Sequence, residues 1–188
     1  FWPYAYYIHP LINTLLIVFI TIISLMLKSR KVAYLALVIY VGAAYGIAES
    51  LLIDHKSTSR WGSCGILQIN DASDFLDRAA KFLVTGTFET HRGRVLNILT
   101  YAALLDLNDF NTVAATQVLT YMGAITTALT TLVVCKKWGV LSGAVFAYII
   151  VEFANGHIGG FSSEMPGLIF GLSAFCILLS LSDKWSGP

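Results

Sequence analysis

Long apolar runs constrain the fold of this chain more than any other feature. Residues 11–27 carry no charged side chain, and residues 32–53 carry only Glu49. Residues 112–135 are again uncharged, 140–154 hold only Glu152, and 168–181 are uncharged. Crossing the hydrocarbon core of a bilayer takes about 17–25 helical residues. Within lipid a spanning segment must satisfy its own backbone hydrogen bonds, which makes each such run a helix. The expected fold is therefore all-α: a polytopic transmembrane protein with about five spans. The balance of residues agrees, since charged side chains make up 12% of the chain against about 25% in soluble domains. Mean hydropathy is +0.72.

Charge fixes the orientation. Lys28, Arg30 and Lys31 crowd the turn between the first two runs, and Lys136 and Lys137 follow the third. Short loops rich in Lys and Arg stay in the cytoplasm. Residues 54–110 then face the opposite side, as does the Gly-rich turn 155–166, and Asp183, Lys184 and Trp185 return to the cytoplasmic face. The organisation read from this is an N-terminal transmembrane hairpin over 1–53, an outer loop over 54–110 and a three-span bundle over 111–188. The protein is expected to be integral to a membrane, read as the bacterial inner membrane with 54–110 on the periplasmic side. Trp2, Tyr4, Tyr6 and Tyr7 suit a membrane–water boundary, and His9 is read as interfacial. The first run lacks an A-x-A cleavage pattern, so it is not read as a signal peptide. A net charge of +1 gives no basic field for nucleic acid, and none is expected as a partner.

The outer loop holds the longest polar interval, NDASDFLDRAAKFLVTGTFETHRGR over 70–94. Phe75, Leu76, Ala79, Ala80, Phe82 and Leu83 recur at spacings of three and four, which predicts one face of a helix. Asp74, Asp77, Arg78 and Lys81 fall on the other face, with Asp74–Arg78 and Asp77–Lys81 as favourable i,i+4 pairs. Asn70, Asp71 or Ser73 can cap the start, and Gly86 suits the end. A short amphipathic helix between apolar spans lies in the membrane interface. Residues 95–105 form a second apolar stretch, too short to span and read as another interfacial helix. The segment before 70 is Ser/Gly-rich and expected to be irregular.

Three polar groups then share the outer face: Asp71 with Asp74, His91 to Arg94, and His157 to Glu164. A carboxylate at a membrane surface can take a proton from an acceptor hydroxyl or amide. Arginines beside it can hold a phosphate leaving group by bidentate hydrogen bonds. That is equipment for moving a sugar from a polyprenyl-phosphate carrier. The plainer reading makes Asp71 a helix cap and Asp74 and Asp77 solvated charges. Glu49 and Glu152 lie near the outer ends of their spans and are read as boundary carboxylates, though an ionisable group in a span is a functional candidate by default. Cys64, Cys135 and Cys176 are far apart and suggest no zinc site. His157 stands alone among glycines. No protein-bound metal and no cofactor are expected.

The order of these elements resembles the GT-C superfamily of integral-membrane glycosyltransferases, in particular the group that includes dolichyl-phosphate-mannose-like and lipid-A-sugar transferases. Asp71, Phe75, Ala79, Gly86, Arg92 or Arg94, Gly139 and Glu164 match that pattern in order, over roughly residues 70–181. The resemblance implies Asp71 as the catalytic base, with Asp74 as its substitute in a shifted register. It implies Arg92 and Arg94 as groups facing the carrier phosphate, and Glu164 lining the same cavity; His157, on the same outer face, is a further candidate for substrate binding. Membrane lipids and a lipid-linked sugar donor would be the partners. The chain departs from the pattern in having two spans before the catalytic loop rather than one. The resemblance also implies about twice as many spans, so the chain is read as the N-terminal portion, or a shortened relative, of such an enzyme. The alternative is a non-catalytic accessory subunit packed against other membrane subunits. A transporter fits poorly, because no span is broken at its middle and no mid-membrane charge pair marks an ion path.

Overall fold

The computed structural model describes residues 13–22, 29–53, 62–63, 67–68, 71–89 and 94–185. Helices dominate: α1 Asn13–Ile22, α2 Arg30–Ile53, α3 Asp71–Thr85, α4 Val95–Leu107, α5 Thr112–Trp138, α6 Val140–Asn155 and α7 Glu164–Trp185. Three stretches within them, Arg30–Ser50, Thr112–Trp138 and Glu164–Ser182, are long and apolar enough to cross a membrane. α1, α4 and α6 are apolar but shorter. At a rise of about 1.5 Å per residue α6 reaches about 24 Å, short of a core roughly 30 Å thick. The chain divides into two compact units.

The first unit comprises Phe1–Gly46, Ala124–Phe153 and Phe170–Pro188. Small residues and hydroxyls make many of its helix–helix contacts. Gly139, at φ 94°, donates its amide to the Cys135 carbonyl at 2.9 Å and turns the chain from α5 into α6. The left-handed conformation there costs an L-residue with a Cβ, so glycine fits. One turn on, Gly143 meets Cys135 so closely that an added Cβ would lie 2.0 Å from its Sγ. Small residues at such crossings let helices approach where lipid offers no hydrophobic drive. Tyr45 of α2 and Thr127 of α5 share a buried hydroxyl–hydroxyl bond of 2.9 Å. The Thr130 hydroxyl donates within α5 to the Thr126 carbonyl at 2.8 Å and more weakly to Leu172 of α7 at 3.4 Å. Phe146 and Phe175 stack at 6.2 Å between α6 and α7. Lys137 caps the pairing by donating to Ser182.

The second unit comprises Ile47–Gly123 and Ala154–Ile169. α3 buries Ala72, Phe75 and Ala79 completely and packs on α4; Phe75 and Ala79 belong to the expected face, whose Leu76, Ala80, Phe82 and Leu83 are partly exposed. Gly86, at φ 69°, stops it, donating to the Phe82 carbonyl at 2.9 Å. The chain then doubles back: Phe88 meets Phe82 edge-on at 5.4 Å, and Glu89 accepts from Lys81 at 2.5 Å. The expected Asp77–Lys81 pair thus gives way to Lys81–Glu89. The reason is that the Gly86 turn brings a second carboxylate within reach. The Asp74–Arg78 pair forms as its spacing suggests, at 2.9 Å. Before α3, in a stretch expected to be irregular, Gly62–Ser63 and Leu67–Gln68 pair as a small antiparallel ladder.

α4 ends where Asn108 folds its side chain back on the Leu104 carbonyl at 2.7 Å. Asp109 and Phe110 follow in the left-handed region, at φ 50° and 60°. Asn111 then accepts from the Ala114 amide at 3.1 Å and starts α5. A tight turn from Asn155, with Gly159 at φ 78°, leads through buried Phe161 and Ser162 to the first residue of α7, Glu164.

Candidate functional site

The site is built in the second unit, where the residue before α4 meets the residues before α7. Arg94 stands at the start of α4 without capping it through its side chain. Its guanidinium turns elsewhere. Nη1 donates to Ser163 Oγ at 2.9 Å, and the planar group lies 5.5 Å from the centre of the Phe75 ring, within cation–π range. Ser163 in turn donates to Glu164 Oε2 at 3.2 Å. Arg94 and Glu164 are thereby joined through one hydroxyl, with a charge at each end that strengthens both bonds. A guanidinium has five N–H donors. Ser163 uses one of them among the described residues, so most of the fork is left for an anion.

Beneath this chain lies an aromatic floor. Tyr101 of α4 is fully buried, with Phe161 edge-on at 4.7 Å and Phe75 at 6.4 Å. Its hydroxyl donates to the Ser162 carbonyl. Burial first, and the charge on Glu164 second, push the Tyr101 phenol well above its ordinary range. Tyr101 is therefore a neutral hydrogen-bond donor that fixes the backbone of the 161–163 segment, not a base. The Ser162 hydroxyl beside it is fully buried and has no partner among the described residues.

The carboxylates singled out in the sequence differ in their surroundings. Asp74 is tied to Arg78, whose guanidinium also lies 3.9 Å from Glu89. Asp71 is exposed in the first turn of α3. It stands one turn ahead of Phe75 on the same side of α3, and Phe75 is the residue that carries Arg94. His157 lies partly exposed in the turn after α6. Arg92 and His91 lie outside the described residues. Among the described residues no group of three His, Cys, Asp or Glu is placed to hold a metal ion.

Sequence reasoning did not single out Tyr101, Ser162 or Ser163. A tyrosine within an apolar helix reads as ordinary core, and nothing in its spacing marks the backbone it fastens. The Ser-Ser-Glu triplet was the available signal, since hydroxyls directly before a helix are natural local donors. No family model matches this chain, and no curated protein or solved structure matches it either.

Proposed function

We propose that this chain is a membrane glycosyltransferase-like protein that moves a sugar from a polyprenyl-phosphate carrier on the non-cytoplasmic face. The observation that carries the reading is the Arg94–Ser163–Glu164 chain, which brings together two segments 69 residues apart and leaves a guanidinium fork over an aromatic floor. In this reading Arg94 holds the carrier phosphate and stabilises the charge left on it as the sugar departs. Asp71 takes the proton from the acceptor. It is preferred to Asp74, whose carboxylate is engaged by Arg78. Glu164 orients the acceptor or the sugar and keeps Ser163 turned toward Arg94, and His157 lines the same side.

The finer topology belongs to the same proposal. Five spans, with α1 and α6 as the two shorter ones, put both segments of the site outside the cytoplasm, facing the periplasm if the membrane is a bacterial inner membrane. α3 and α4 lie at the headgroup level, where the carrier phosphate resides. The test is transfer of labelled sugar from a panel of polyprenyl-phosphate sugars. Asp71→Asn should abolish it, while Asp74→Asn keeps most of it. Equal turnover in wild type and Asp71→Asn removes the catalytic assignment.

A second reading, an accessory transmembrane subunit, is favoured by one observation. Asp71 is exposed, and the described structure records no hydrogen bond that aims its carboxylate. Under that reading the Arg94 chain only fastens two loops.

A further inference from the structure

The first unit contains a second polar cluster, of a different kind. Asn13 of α1 is buried and donates from Nδ2 to Glu152 Oε1 of α6 at 3.0 Å. One residue on in α1 and one turn back in α6, Thr14 Oγ1 and Tyr148 Oη share a bond of 3.0 Å. Tyr40 of α2 is 1% exposed and lies within electrostatic reach of both Glu152 and Tyr148. Its hydroxyl is buried without a partner among the described residues.

We propose that Asn13, Tyr40, Tyr148 and Glu152 form a binding site for a primary ammonium group. The argument begins with charge. Glu152 is partly buried in an apolar helix, and its recorded partner is a neutral carboxamide. Among the described residues no Lys, Arg or His forms an ion pair with it. A carboxylate withdrawn from water is stabilised when a cation meets it. The hydrogen-bond balance points to the cation. Asn13 supplies a donor to one carboxylate oxygen, and what the cluster still offers is the second oxygen of Glu152 and the lone pairs of the orphaned Tyr40 hydroxyl. An ammonium brings three donors and one positive charge in a small volume.

The same features exclude neighbouring chemistries. A quaternary ammonium has no N–H to satisfy either oxygen. A hard divalent cation asks for six or more oxygen ligands, and this cluster has one carboxylate. The amine can belong to an ethanolamine lipid headgroup or to a soluble amine. All four residues lie in the first unit, so the site stands or falls independently of Arg94.

The test uses the purified full chain in phosphatidylcholine nanodiscs, to which either phosphatidylethanolamine or free ethanolamine is added. The readouts are the thermal midpoint and the lipid retained on native mass spectrometry. Phosphatidylethanolamine is expected to raise the midpoint and to be retained over phosphatidylcholine. Glu152→Gln, which keeps an acceptor for Asn13, should remove both effects, and Tyr40→Phe should weaken binding about tenfold, as for one lost hydrogen bond. A response to phosphatidylethanolamine alone assigns the lipid, and a response to free ethanolamine assigns a soluble amine. Indifference of the wild type to both amines overturns the proposal and leaves Glu152 as an acceptor that simply clasps α1 to α6. That comparison needs no variant to fold.

Discussion

Arg94 Nη1 reaches Ser163 Oγ across 2.9 Å while its guanidinium covers the Phe75 ring, so one side chain ties α3, the start of α4 and the entry to α7. The stability of the second unit and the shape of its candidate site depend on the same few contacts. The predictions below separate those two roles.

Tyr101→Phe should destabilise the protein without touching any ligand. The ring stays in its place between Phe75 and Phe161, but the Ser162 carbonyl loses its donor. A buried acceptor left unsatisfied costs about 1–3 kcal/mol. Chemical unfolding in detergent micelles should show a loss of that size. An unchanged midpoint would mean that water replaces the hydroxyl.

The return of 87–89 onto α3 should loosen in acid. Lys81's hydrogen bond, and its charge, hold Glu89 below the ordinary glutamate value of 4.5. A carboxyl that is harder to protonate in the folded state contributes stability that is fully present above its unfolded value. That contribution is lost as pH falls through the lowered folded value. Amide exchange at 87–89, corrected for its intrinsic pH dependence, should therefore quicken below about pH 4.5, and Glu89→Gln should be quick at every pH. Because the pair is exposed, the effect should also shrink in high salt.

The α5–α6 crossing should show coupling between two small residues. Gly143→Ala places a Cβ 2.0 Å from Cys135 Sγ and should cost about 1–3 kcal/mol through overpacking. Cys135→Ala removes the obstructing sulfur. The double variant should recover most of what Gly143→Ala loses, a departure from additivity that thermal unfolding measures directly. Additive losses would place the strain elsewhere in the hairpin.

Much of the second unit was legible in the sequence. The stripe Phe75, Ala79 and the stop at Gly86 follow from helical period and from the residue type that most readily accepts a left-handed turn. Arg94 and Glu164 were singled out from residue type and order, and the fold links them through Ser163. What sequence could not supply depends on side chains that act at a distance. Lys81 abandons its helical partner for Glu89 because a turn, not a period, sets that distance. Tyr101 looks like core until its hydroxyl is seen on the Ser162 carbonyl. Among the described residues, length and apolar character mark three helices as able to cross a membrane. The apolar helices α1, α4 and α6 are shorter than those three.

Binding of polyprenyl monophosphate to the chain in nanodiscs tests the central claim most directly, with unphosphorylated polyprenol as the control. If the Arg94 fork holds the carrier phosphate, the wild type should prefer the monophosphate. Arg94→Gln should lose about tenfold or more of that preference, the worth of one charge-assisted contact, while its affinity for polyprenol stays the same. Equal binding of the two lipids by the wild type, or a preference that survives Arg94→Gln, would contradict the account.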